Sequence, residues 1–290
     1  MHELLLQALF SGVLVGGIYA LIGLGLALAF GTMRVINLAH GELVLLAADV
    51  AYSMESAYGL NPLLSLPVAA IVTAAASTLV YFLVSRIRRN RELNSLMLTF
   101  ALGVIFTNVI LLVWKSDIHS TSTSFMQDAV QFGSVYSMNS ELGAFVVSVF
   151  VAVGLWYWLS RSWYGRAVRA VSSNRDAAKL MGINPAKVEV VSFLVAGLLA
   201  AVAGAAIYSS GVIAPPLGHA LTVKAFIITV LAGVGSVPGV LLAALLLGVA
   251  EALTVTFFSS ALQELAGMVL FLLVLFVLPS GLFGSKARRG

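Results

Sequence analysis

Nine consecutive residues, Arg34-Val35-Ile36-Asn37-Leu38-Ala39-His40-Gly41-Glu42, place a guanidinium, an amide, an imidazole and a carboxylate between two uncharged apolar runs. Groups of these types can hold a polar solute along a path, or they can satisfy one another in a turn that joins two helices. A charged group at the centre of a bilayer costs ~2.5–3.5 kcal/mol on insertion scales, so such groups face a cavity, a partner or the membrane surface. Arg34 is close enough in sequence to balance Glu42, which favours the turn. The two readings of Asn37, His40 and Glu42 are compatible if the turn lies at the wall of a lumen. Asp49 falls seven residues after Glu42, on the same helix face, where it extends a polar stripe or faces a neighbour. Lys224 and Glu251 stand inside two further apolar runs; pairing is their expected role and gating the second one.

Other chemistries are excluded by residue type. There is no cysteine, and the four histidines (His2, His40, His119, His219) have no ligand spacing. The stretch Gly233-Val234-Gly235-Ser236-Val237-Pro238-Gly239 lacks the third glycine of a dinucleotide fingerprint, and no Gly-Lys-Ser/Thr follows to cradle a phosphate. Gly233, Gly235, Pro238 and Gly239 therefore read as a helix break or gate. No paired nucleophile is visible, so neither an intramembrane enzyme nor ATP hydrolysis on this chain is expected.

The loop 161–187 carries six basic residues and the clearest local punctuation. Ser173 is placed to cap a helix that has Asp176 in its first turn, and Gly182 is placed to end it in the left-handed conformation. Asn184-Pro185 then starts another helix. A helix over 174–181 puts Asn174, Ala177, Ala178 and Met181 on one face, with Arg166, Arg169, Arg175 and Lys179 around it. So short a helix is barely stable alone in water, and a small-residue face suits docking into a groove on a partner.

The elements that must position these residues are membrane spans. Hydrophobic residues make up 60% of the 290 and charged ones 10%, against about half and a quarter in soluble domains. Apolar runs cover 4–30, 41–54, 63–84, 96–114, 142–159, 188–210, 223–232, 240–255 and 262–278. They predict an all-α polytopic membrane protein of eight or nine segments, with a half-helix or broken helix near 223–239, in a single domain over 1–290. Irregular backbone at that depth must be covered by protein or a water-filled cavity. Gly12 and Gly16 form a Gly-x-x-x-Gly pair, which predicts close helix packing. Arg86, Arg88, Arg89 and Arg91 belong on the cytoplasmic side, as do the loop 161–187 and the tail Lys286-Ala287-Arg288-Arg289. The Ser/Thr-rich loop 116–140, with no Lys or Arg, belongs outside. The net charge of +4 follows from this topology and does not point to nucleic acid.

Four motifs occur in order: Asn37-Leu38-Ala39-His40-Gly41-Glu42, Gly165-Arg166-Ala167-Val168-Arg169-Ala170 through Leu180-Met181-Gly182-Ile183-Asn184, Val223-Lys224-Ala225-Phe226 through Gly239, and Leu278-Pro279-Ser280-Gly281-Leu282-Phe283-Gly284. Together they resemble the LivH-type permease subunit of branched-chain amino acid ABC importers, over nearly the whole chain. The resemblance implies a bacterial inner-membrane subunit that pairs with a second, homologous permease. Two cytoplasmic ATPases, holding the ATP and Mg that this chain lacks, would drive it, and an extracytoplasmic binding protein would feed it. Residues 174–181 would then be the coupling helix. Permeases for urea and short amides are of the same kind and remain an alternative. An ion-coupled transporter or channel is the alternative of another class, since broken helices and buried charges suit it too.

Overall fold

The structure, a computed structural model, describes residues 1–87, 89–123, 128–233, 236–278 and 281–283. Arg88, Gly235, the middle of the loop 116–140 and the basic tail lie outside the described residues.

Helix α1 (His2–Met33) is the axis of the molecule. Its glycines explain why. A Cβ on Gly12 would stand 2.6 Å from the Cα of Val249, and one on Gly16 2.9 Å from the Cα of Leu245. No larger residue lets these two backbones approach so closely, so the Gly-x-x-x-Gly pair packs as expected. Seven helical segments among the described residues are long and apolar enough to cross a membrane: α1, α3 (Leu66–Ser85, entered through a 3-10 turn at Pro62–Ser65), α4 (Arg91–Trp114), α5 (Asn139–Arg161), α8 (Pro185–Ser210), α10 (Val237–Phe257) and α11 (Gln263–Val277, which a 3-10 turn at Ser260–Leu262 extends to 18 residues). Two more complete the bundle. Helix α2 (His40–Tyr58) carries Glu42, Asp49 and Glu55, and α9 (Leu217–Ala232) has only 16 residues. The apolar windows of α1 and α8 are 83% and 61% buried, against 33% or less for the other five spans. Two central helices are thus wrapped by a sleeve that presents apolar side chains outward.

The two ends differ. At one, β2 (Ala129–Phe132) and β3 (Val135–Met138) form an antiparallel hairpin, and β1 (His119–Ser120) pairs with β4 (Val212–Ile213). Gln7 at the start of α1 holds the hairpin by two bonds to the Tyr136 backbone. At the other lie Arg86, Arg89 and Arg91, together with two short helices, α6 (Trp163–Ser173) and α7 (Arg175–Leu180). Helix α6 was not expected. It begins at Ser162, whose Oγ accepts from Gly165 N at 3.0 Å.

The glycine-rich break near 233–239 separates two helices of opposite direction. Lys224 bonds Tyr19 and Thr229 Oγ1 lies against Gly23 O, so α9 runs parallel to α1, whereas the Gly12–Val249 and Gly16–Leu245 contacts make α10 antiparallel. The break is therefore a reversal between two helices. The C-terminal segment seals it: Leu282 and Phe283 donate their N–H groups to the carbonyls of Leu231 and Ala232. A second irregular stretch lies between α1 and α2. His40 Nε2 is 3.1 Å from Ile22 O and its ring lies against Gly25, so after Met33 the chain climbs back beside α1 by about two to three helical turns before α2 starts.

Candidate functional site

The climb from Arg34 to Ala39 exposes backbone groups that no helix can satisfy, and two threonines from other helices supply partners. Thr99 on α4 donates to Ile36 O at 3.0 Å. Thr222 on α9 accepts from Gly41 N at 2.9 Å and lies 3.3 Å from Leu38 O. Asn37 Oδ1 accepts from Ala39 N at 3.1 Å, and its carbonyl accepts from His40 N. His40 packs fully buried with Nε2 donating to Ile22 O, which fixes the tautomer and leaves Nδ1 without a partner. Oδ1 of Asn37 and Nε2 of His40 thus hold backbone, while His40 Nδ1 stays open.

Glu42 and Asp49 are different. Both are buried, and Oε2 of Glu42 and Oδ2 of Asp49 make no hydrogen bond. The Glu42 carboxylate lies in the first turn of α2 and rests against Gly218 in the first turn of α9; a Cβ on Gly218 would collide with it. Two helix N-termini favour negative charge there. The expected Arg34–Glu42 balance is absent. Arg34 sits at the far end of the climb and donates Nη2 to Ser172 O at 3.2 Å.

Lys224 and Glu251 do pair, across α9 and α10. Tyr19 donates to Glu251 Oε2 at 2.8 Å, Gln263 donates to the same oxygen at 2.9 Å, and Lys224 Nζ also donates to Tyr19 Oη at 2.9 Å. Gly233 is left-handed at φ +83 and ends α9, while Pro238 and Gly239 occupy the first turn of α10 under the Ser236 cap. These residues turn the chain; they do not touch the Glu42 region.

At the arginine-rich end, Asn174 caps α7, accepting from Asp176 N and Ala177 N at 3.0 and 2.9 Å. The cap is one residue later than Ser173, and α7 is six residues long. Gly182 ends it at φ +81, and Asn184 and Pro185 start α8, as expected. The expected docking face is turned. Ala178 is buried against Ala167, Val171 and Val188, so an arginine there would test the folding of the loop. Ala177 is exposed, and the apolar tip is Leu180 and Met181, 90% and 82% exposed. Arg169 is occupied by the carbonyl of Leu159 at 2.8 Å. Burial pushes the Tyr164 hydroxyl up to about 12, so it stays protonated and donates at 2.7 Å to Val188 O, fixing α6 to α8.

Three residues with central positions escaped the sequence reading. Glu189, buried at the start of α8, pairs with Arg175 at 2.9 Å and approaches Arg91 at 3.9 Å, tying α7 to α8 and α4. A carboxylate just after a loop of six basic residues was its signal. Glu55 gathers the hydroxyls of Thr121, Ser122, Thr123 and Tyr208 at the hairpin end; the Thr-Ser-Thr run was the clue. Thr222 had no signal short of the fold itself.

A family described as the permease component of the branched-chain amino acid transport system matches residues 8–278. The chain is 31% identical to the high-affinity branched-chain amino acid transport system permease protein BraD of Pseudomonas aeruginosa, over 96% of this chain and 95% of that protein. It is 30% identical to the corresponding protein LivH of Escherichia coli, with the same coverage. Among solved structures it is similar to a chain of PsaBC from Streptococcus pneumoniae in complex with Fab, with a TM-score of 0.50, 14% identity, and 97% and 94% of the two chains covered. That likeness concerns the fold alone.

Proposed function

The chain belongs to the branched-chain amino acid transport permease family and is thereby a membrane-embedded permease component of an ABC importer; from that premise we propose that it carries branched-chain or other apolar amino acids by alternating access. Separate ATPase chains supply the energy, a binding protein delivers the cargo, and a second, homologous permease completes the path. The arginine-rich end faces the cytoplasm, which follows from the clustering of basic residues there, and the C-terminal segment ends on that side.

The observation that carries this reading is the α6–α7 arm. An unpartnered pair of large apolar side chains, Leu180 and Met181, stands at the tip of an otherwise basic loop, the kind of anchor that fills a pocket on a partner. Movement of that tip reaches the bundle by three routes: through α6 into α5, through Gly182–Pro185 into α8, and through Glu189 into α4. Within the bundle, Glu42, Asp49 and Nδ1 of His40 are the path groups with acceptor capacity left, while Asn37 shapes the wall. An apolar cargo needs few polar holds, so selectivity rests mainly on the binding protein.

The test is the double substitution L180D/M181D in the full assembly. Helix content and membrane insertion stay unchanged, co-purification with the ATPases is lost, and ATP-dependent uptake of L-leucine falls about 30-fold or more, as truncation of a central anchor does. Retained association with unchanged uptake would remove the docking role.

A further inference from the structure

A groove of 680 Å³ opens at the arginine-rich end between α1, α5, α6 and the start of α10. Its depth is apolar, with Leu24 and Leu28 on one side, Leu155 and Leu159 on the other, and Val240 behind. Arg34 and Arg169 stand at its mouth beside the hydroxyls of Ser172 and Ser173, and no Asp or Glu lines it. Each guanidinium gives one bond to a backbone carbonyl, and neither has a carboxylate partner among the described residues. With five N–H donors apiece, both retain capacity for an oxyanion. From Leu24 to Arg34 the chain advances about 15 Å, half of the ~30 Å hydrocarbon thickness. The apolar wall therefore has the depth of one leaflet, and the guanidiniums lie at headgroup height. One rim is formed by exposed Trp156 and Ser160 of α5, a helix of the outer sleeve.

We propose that this groove holds an anionic phospholipid from the leaflet on the arginine-rich side, with one acyl chain along Leu24–Leu28 and Leu155–Leu159 and the phosphate between Arg34 and Arg169. The charge pattern selects a lipid over the transported solute. An amino acid is a zwitterion, and its ammonium would find no carboxylate in the groove, whereas a phosphodiester on an apolar tail matches both walls. Because α6 forms one side, the lipid braces the base of the α6–α7 arm.

The experiment uses the full-length protein with its co-purifying subunits, reconstituted in phosphatidylcholine vesicles. Trace phosphatidylglycerol or phosphatidylcholine carries a photoreactive diazirine in one acyl chain, and adducts are mapped by peptide mass spectrometry. The phosphatidylglycerol probe labels segments 24–28 and 155–159 in preference to the phosphatidylcholine probe of the same chain. R34Q/R169Q lowers that labelling by about fivefold per arginine, roughly 25-fold for both, while labelling of the exposed helix α11 serves as the internal control. Comparing the two probes on the unaltered chain needs no substitution and so survives a variant that fails to fold. Equal labelling of the groove by both probes, or labelling of α11 with none in the groove, overturns the proposal; in the second case another subunit covers it.

Discussion

Among the buried charged groups of this bundle, those around Lys224 and those around Glu42 are built on opposite principles. Around Lys224 every strong donor and acceptor is used: the ammonium meets Glu251 and Tyr19, and the carboxylate meets Lys224, Tyr19 and Gln263. Around Glu42 acceptors stay open: Asn37, Nε2 of His40 and Thr222 serve backbone, while His40 Nδ1, Glu42 Oε2 and Asp49 Oδ2 have no hydrogen-bond partner. A saturated cluster can bind nothing without first breaking. The first cluster ties α1, α9 and α10 together, and the second holds the open acceptors on which the proposed path rests.

The hardest blow to that contrast comes from K224M. It leaves the Glu251 carboxylate buried without its counter-charge, which costs about 3–5 kcal/mol. Unfolding followed in detergent by near-ultraviolet dichroism measures it. The double variant K224M/E251M recovers most of the loss, because an apolar pair of similar volume leaves no uncompensated charge. A single variant as stable as the parent would mean the cluster is not a strut.

A smaller effect is expected from T222V, which keeps shape and removes the hydroxyl that serves Gly41 N. One buried donor left unsatisfied costs about 1–3 kcal/mol, and T222S, which keeps the oxygen, costs less. If both variants cost the same, the cause is packing, and the junction between α1 and α2 does not depend on its borrowed hydrogen bonds.

The spans, the Gly12–Gly16 packing, the Gly182 and Asn184 boundaries and the Lys224–Glu251 pairing were legible because each rests on local pattern or on the cost of burying charge. What was not legible depends on where distant chain arrives. Nothing in the order of residues 34–42 says that Thr99 and Thr222, from two later helices, feed that backbone. Proximity in sequence suggested an Arg34–Glu42 balance, and a climb of about two to three helical turns puts Arg34 against Ser172 instead. The face of α7 was misjudged for a related reason: helical spacing groups Ala177, Ala178 and Met181, but only the unforeseen α6 decides that Ala178 turns inward. Polarity marked the island without saying which of its members still had a lone pair to offer.

That last distinction yields the smallest stability change and the sharpest functional one. E42Q replaces a carboxylate whose Oε2 has no partner by an amide of the same shape, at a position where no cation is lost. Stability should move by no more than about 1 kcal/mol, since no satisfied bond is removed. If Glu42 meets the cargo, uptake of L-leucine falls while ATPase association and basal hydrolysis persist, and the loss appears in KM where the carboxylate holds the ammonium in the resting state or in kcat where it does so only during passage. D49N, one stripe position further along α2, separates a local from a continuous path: both variants fall if the acidic stripe is used as a whole, and E42Q alone falls if the meeting point of the α2 and α9 N-termini is the hold. Full transport by E42Q together with a large loss of stability would reverse the two clusters, making the Glu42 region the strut.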